Sequence, residues 1–158
     1  MSSPHNADRY EVVEVNVPPR RVAGVHARVA RGRVGQEFRT YLDQVYQAGR
    51  AGVVALDGQN IFIYRSATEH ELAVDFCVGV TAPFIAAGAV EPLFTPSGAA
   101  AMTTHRGEYG GIIHASLAIK AWCRANQRDI AGPSWEVYGH WHADAALLRT
   151  DVYYLLKS

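Results

Sequence analysis

The sequence is poor in several features that mark large classes of protein. It has only 2 cysteines, Cys77 and Cys123. They lie far apart and outside any C-x-x-C, which argues against a disulfide framework or a cysteine-rich zinc module and fits reduced, buried thiols in a cytoplasmic protein. It has no surplus of charge, since 15 basic and 15 acidic residues give a formal net charge of +0. A chain that neutralises a phosphate backbone carries a basic excess, so direct nucleic-acid binding is not expected. The arginines that do cluster, Arg20-Arg21 and then Arg28, Arg31 and Arg33, are offset by nearby acids and read as a solvated face. No apolar run reaches membrane length and no secretory pattern opens the chain, so no membrane partner is expected. Met1 to Asp8 is polar and reads as a frayed end. No G-x-S-x-G elbow or phosphate-binding glycine loop occurs. No cysteine stands beside a histidine, so covalent catalysis has no positive sign.

What is present is apolar content, 49% of the residues, enough for a sizeable core in one domain spanning residues 1–158. Alternation predicts strands over Tyr10–Val17, Val22–Val29, Ile61–Arg65, Leu72–Val80 and Thr150–Leu156, with shorter extended pieces at Val90–Phe94 and Ala99–His105. Phe38, Tyr41, Leu42 and Val45 recur at helical spacing and predict a helix over Gln36–Ala48, with Gly49 as its C′ residue. A second helix is predicted over Ile112–Ala125. Asp57-Gly58 and Gly132-Pro133 read as turns. The second of these leads into Trp135-Glu136-Val137-Tyr138, a strand with a carboxylate set among aromatics.

The order loop, helix, strand, strand occurs twice. At an offset of 75 residues Arg31-Gly32 falls on Arg106-Gly107, Gly35 on Gly110 and Leu42 on Leu117. Neighbouring offsets align Tyr64 with Tyr138 and Asp75 with Asp151. This implies an α+β fold built by duplication of a β-α-β-β unit, with pseudo-repeats at about 10–82 and 90–157. Each half would be an antiparallel sheet with one long helix, and the two would enclose a central ligand cleft. Matching the halves assigns Ile61, Ile63, Trp135 and Val137 to the helix side, with Val74, Phe76, Val78, Val152, Tyr154 and Leu156. Phe62, Tyr64, Glu136, Tyr138, Asp75, Cys77, Asp151 and Tyr153 are then expected on the side away from the helices.

The run His105-Arg106-Gly107-Glu108-Tyr109, the helix after it, Gly132-Pro133-Ser134-Trp135-Glu136-Val137-Tyr138 and Leu148-Arg149-Thr150-Asp151-Val152-Tyr153 resemble the C-terminal half of GyrI-like small-molecule-binding domains. These are also the effector-binding domains of AraC-type regulators and of the multidrug-sensing regulator BmrR. Val17-Pro18-Pro19-Arg20-Arg21-Val22-Ala23 and Val74-Asp75-Phe76-Cys77-Val78 look like the family's first half, so the resemblance spans nearly the whole chain. It implies a central pocket in which a glutamate meets lipophilic cations among aromatic rings. Glu136 takes the glutamate position, Tyr138 the aromatic after it, and Tyr109 the aromatic of the loop before the helix. The sequence departs from the family in having Asp151 where Glu is common, and Arg106 with Glu108 where a Gly-Pro pair is usual. No helix-turn-helix segment precedes these residues, so DNA-linked regulation is expected to need a separate protein.

A carboxylate in an apolar cleft is paired, hydrated or neutralised, and a delocalised cation held by tyrosine rings would meet that need. The residues expected at the ligand are Glu136, Tyr138, Tyr109, Phe62, Tyr64, Tyr153, Asp151 and His140. The bland alternatives are an arginine pair for Glu136, ordinary core for the aromatics, and salt bridges for Asp75 and Asp151. His140 and His142 flank Trp141, and His105 and Asp144 lie elsewhere in sequence. Spacing fixes no third ligand, so neither a metal nor another cofactor is expected. The leading expectation is a binding protein for amphipathic, aromatic and cationic compounds. The resemblance also implies a hydrolase of cyclopropane-bearing DNA-alkylating natural products, with Glu136 and Tyr138 as its catalytic pair. A third option is a protein-binding inhibitor, such as of a topoisomerase.

Overall fold

The computed structural model describes residues 10–158, so the expectation for Met1 to Asp8 lies outside the described residues. The elements in chain order are β1 (Val13–Val17), β2 (Arg21–Ala30), α1 (Val34–Arg50), β3 (Leu56–Ala67), β4 (Glu71–Val80), β5 (Glu91–Phe94), β6 (Gly98–Arg106), α2 (Ile112–Ala125), β7 (Ile130–Tyr138) and β8 (Arg149–Leu156). A 3-10 turn, Tyr109–Gly111, leads directly into α2. The mixed α+β class is therefore as the sequence implies. The chain divides into two compact units, residues 19–96 and a second made of residues up to 18 together with 97–158.

Residues 19–96 form a sheet in the order β3-β4-β2-β5, all pairs antiparallel. The apolar stripe of α1 packs on one face of it. Tyr41 stacks on Phe76 at 5.4 Å, and Phe38 meets Phe62 at 5.6 Å. Phe62 and Phe76 lie opposite each other in the ladder and touch edge to face at 4.8 Å. Such ring pairs each add about 0.5–1.5 kcal/mol beyond the area they bury. Gly49 is inside the helix rather than beyond it. A Cβ there would come within 2.6 Å of Leu56 Cδ1, so its lack of a side chain admits the start of β3. The left-handed residue past the helix is Gly52, at φ +77°.

The other unit has a sheet in the order β7-β8-β6-β1, all pairs antiparallel. Ile112, Ala115, Ile119 and Cys123 of α2 pack with Ala101, Val152 and Leu156 of the sheet. Burying each large aliphatic of this set stabilises by about 1.5–3 kcal/mol.

Three expectations change. The strand over residues 13–17 pairs with β6, and β5 pairs with β2, so each edge strand joins the unit opposite to the repeat it was assigned to by sequence order. Alternation marks a strand but does not name its neighbour. The second change concerns the turns. Gly58 and Gly132 both have positive φ, +83° and +131°, yet both lie inside strands, at irregularities in the β3–β4 and β7–β8 registers. They are bulges that bend a continuing strand.

The third change concerns faces. Residues directly opposite in an antiparallel ladder project to the same side. Phe62 and Tyr64 oppose Phe76 and Val74, while Ile61 and Ile63 oppose Cys77 and Asp75. Glu136 opposes Val152, and Trp135 opposes Tyr153. Phe62, Tyr64, Glu136 and Tyr138 are therefore on the helix sides of their sheets, and Ile61, Ile63, Trp135 and Val137 are on the far sides, the reverse of the expectation. In β3 and β7 both alternating sets are bulky, so the period identifies which residues share a face without saying which face meets the helix.

Candidate functional site

Strand β7 presents Ser134, Glu136 and Tyr138 on the side that α2 covers. Two residues apart on a strand, Glu136 and Tyr138 are same-face neighbours. The Tyr138 hydroxyl donates to Glu136 Oε1 at 2.5 Å. Both side chains are half-buried. Tyr138 also packs against the α2 core cluster, which holds its ring while the hydroxyl reaches back along the strand. Tyr109, from the turn before α2, meets the Tyr138 ring edge to face, with centroids 5.6 Å apart and an interplanar angle of 86°. Tyr109 remains 41% exposed. One carboxylate and two phenol rings thus converge on one side of one sheet.

The remaining expected residues go elsewhere. Tyr153 stacks flat on Trp135, at 5.0 Å and 5°, on the far side of the sheet. Asp151 is on that side too, accepting from Thr104 Oγ1 at 2.8 Å and Arg149 Nε at 3.1 Å. The ladder that puts Glu136 with Val152 places Asp151 and Tyr153 opposite Val137 and Trp135, so these two do not join Glu136. His140 lies past the end of β7 in exposed chain, where strand alternation no longer applies. Phe62 is 6% exposed within the Phe38 and Phe76 rings. Tyr64 is half-buried on the α1 side of β3.

Asp75 is a structural carboxylate. It is 2% exposed and accepts from Arg65 Nε at 2.8 Å, with His26 Nδ1 at 2.5 Å. The other ring nitrogen of His26 faces Glu91 at 2.9 Å. Beside this cluster burial pushes the Cys77 thiol far above its ordinary value. The Asp75 charge pushes the same way, and Arg65 opposes both.

Sequence reasoning assigned His105 only as a possible metal ligand. It is 5% exposed, bonded through Nδ1 to Tyr10 Oη at 2.9 Å and through Nε2 to the Glu108 carbonyl at 2.7 Å. A polar ring ending an apolar strand just before a glycine-rich loop was the available signal. A separate concavity of about 630 Å³ lies over Tyr10, Val13, Met102, Thr104 and Arg106, and none of the expected ligand residues lines it.

These features define a small α+β module. Residues 10–157 match the GyrI-like small molecule binding domain, and the chain belongs to that family. Its fold is similar to EcmrR in an EcmrR–DNA complex, at a TM-score of 0.78 and 17% identity, over 94% of this chain and 58% of that one. The chain therefore spans little more than half the length of that regulator. Against the EcmrR C-terminal domain alone, coverage is 94% and 98%, with a TM-score of 0.73 and 18% identity. SAV2435 bound to tetraphenylphosphonium aligns at a TM-score of 0.62 and 11% identity, over 94% of each chain. A hydrolase from Listeria innocua aligns at 0.65 and 11%, over 93% and 92%. No curated protein matches the sequence significantly.

Proposed function

We propose that this protein binds amphipathic aromatic compounds, lipophilic cations above all, through Glu136, Tyr138 and Tyr109. The observation that carries the reading is the convergence of the Glu136 carboxylate, the Tyr138 hydroxyl at 2.5 Å and the Tyr109 ring against Tyr138. Ring faces and a carboxylate attract the same kind of ligand, a diffuse positive charge carried on apolar surface. The family supports small-molecule binding, and a structural neighbour is bound to tetraphenylphosphonium. Phe62, Tyr153 and Asp151 are left out of this reading: Phe62 packs with Phe38 and Phe76, Tyr153 stacks on Trp135, and Asp151 accepts from Thr104 and Arg149. The free cysteines fit a reducing cytoplasm, and among the described residues no helix is long and apolar enough to cross a membrane. The test is a fluorescence titration with tetraphenylphosphonium beside its neutral analogue triphenylphosphine oxide. The cation binds more tightly by about tenfold if charge and rings act together. Equal affinities would remove the charge from the account.

The Tyr138–Glu136 pair also favours a second reading, hydrolysis. Glu136 would take a proton from water, and a tyrosine hydroxyl would donate to the oxygen that gains electrons. A neighbour of the same fold is a hydrolase. Incubation with a cyclopropane-bearing alkylating natural product, followed by mass analysis for the water adduct, decides this. Turnover no faster than in buffer discards it.

A further inference from the structure

We propose that His105 is the positioning residue that sets the Tyr109 ring against Tyr138, an assignment resting on the binding role given above to Tyr109. His105 is the penultimate residue of β6, on the α2 side of the sheet and opposite Thr150. Its tautomer follows from its partners. The Glu108 carbonyl only accepts, so Nε2 carries the proton and donates to it at 2.7 Å. In the neutral ring Nδ1 then offers a lone pair, and the Tyr10 hydroxyl donates to it at 2.9 Å. Both ring nitrogens are satisfied in a nearly water-free site, and leaving either unpaired there carries the full desolvation cost.

The carbonyl that His105 holds belongs to the Glu108–Tyr109 peptide plane. Fixing that oxygen fixes the plane from which Tyr109 departs. The same oxygen accepts from Gly111 N–H at 3.0 Å, which closes the 3-10 turn around Tyr109. The loop backbone also rests on the imidazole: a Cβ at Gly111 would come within 2.8 Å of His105 Cε1. Gly107, at φ +114°, turns the chain out of β6, and its N–H is held by the Leu148 carbonyl at 2.9 Å. The loop is thus pinned at its start by Leu148 and at its middle by His105. Tyr109 is 41% exposed, so packing alone holds its ring weakly. The buried imidazole supplies the rigidity that an exposed binding ring lacks.

The experiment places 3-fluorotyrosine at position 109 of the whole chain and records its fluorine resonance without ligand. Unsubstituted protein and His105→Gln, which keeps a donor for Glu108, give the same narrow, displaced line. His105→Leu and Gly111→Ala move the line toward the free amino acid or broaden it, while circular dichroism stays native. An unchanged line in both variants overturns the proposal. If His105→Leu does not fold, Gly111→Ala decides alone, because its backbone φ is ordinary and only the imidazole is crowded. Tetraphenylphosphonium titrations supply the second arm. His105→Leu weakens binding by about fivefold, yet by less than about twofold in a Tyr109→Ala background. Equal losses in both backgrounds overturn the assignment. If unsubstituted protein fails to bind the cation, the binding reading fails, and the fluorine line by itself settles the positioning.

Discussion

Tyr138 donates its phenolic proton to Glu136 Oε1 across 2.5 Å, two positions away on the same strand. The bond gives the carboxylate a fixed partner while leaving the tyrosine ring in contact with Tyr109. Tyr138→Phe keeps the ring and removes only the donor. Stability should fall by about 1 kcal/mol, the value of a typical net hydrogen bond, because both residues are half-buried. Urea unfolding measures it, and an unchanged midpoint would mean that the short contact contributes nothing.

Asp75 tests the structural reading of the other carboxylate cluster. It is almost fully buried between Arg65 and His26, on the face of its sheet away from α1. Asp75→Asn leaves the part-exposed Arg65 charge poorly matched and should cost about 1.5–3 kcal/mol. Affinity for a lipophilic cation should not change. A variant that unfolds at the usual denaturant concentration but loses binding would make Asp75 a ligand residue instead.

Cys77 gives the protein an alkaline weakness. Its folded thiol is raised above the reference value of 9.0, chiefly by burial. The unfolded thiol ionises first as pH rises, so the unfolded state binds fewer protons and stability falls. The effect is absent below about pH 8 and develops above pH 9, at about 1.4 kcal/mol per pH unit. Cys77→Ala should lose less stability than the parent between neutral pH and pH 10 by urea midpoint, with the raised Cys123 thiol and Tyr46 phenol keeping part of the slope. Parallel curves for the two proteins would contradict it.

Glycine positions separate strain from freedom. Gly35 is in the first turn of α1, and a Cβ there meets nothing within 4 Å. Gly35→Ala should stabilise by about 0.5–1 kcal/mol. Gly132, at φ +131°, lies in a region that side chains avoid, and Gly132→Ala should cost about 1–3 kcal/mol. Thermal unfolding of the two variants should shift in opposite directions.

The sequence carried the helices well. The spacing of Phe38, Tyr41, Leu42 and Val45 marks α1, and Ile112–Ala125 is α2 as expected. The family, too, was legible in the run from Gly132 to Tyr138. The faces were not. Trp135 and Val137 look more like core than Glu136 and Tyr138, and only the ladder to β8 shows which pair meets α2. Asp151 and Tyr153 lie on the far side, as the alternation of β8 implies, and it is Glu136 and Tyr138 that change face. The partner of β1 was hidden because an edge strand records no address for its neighbour. His105 is not legible in the sequence as more than a metal-ligand candidate, because its bond to the Glu108 carbonyl is a contact with a backbone atom that residue identity does not encode. Gly58 and Gly132 were read as turns for a related reason: a positive φ serves a turn and a bulge equally. Gly32 and Gly107, at positive φ beyond β2 and β6, are turn positions of the ordinary kind.

The most direct test of the whole account is calorimetric titration of tetraphenylphosphonium into the protein and into Glu136→Gln. The substitution removes the charge while keeping the shape and an acceptor for Tyr138. The account predicts affinity lower by about tenfold or more in the variant, with the loss growing as salt is reduced. Equal affinities, in a variant that unfolds at the same temperature as the parent, would contradict the claim that the function centres on this carboxylate.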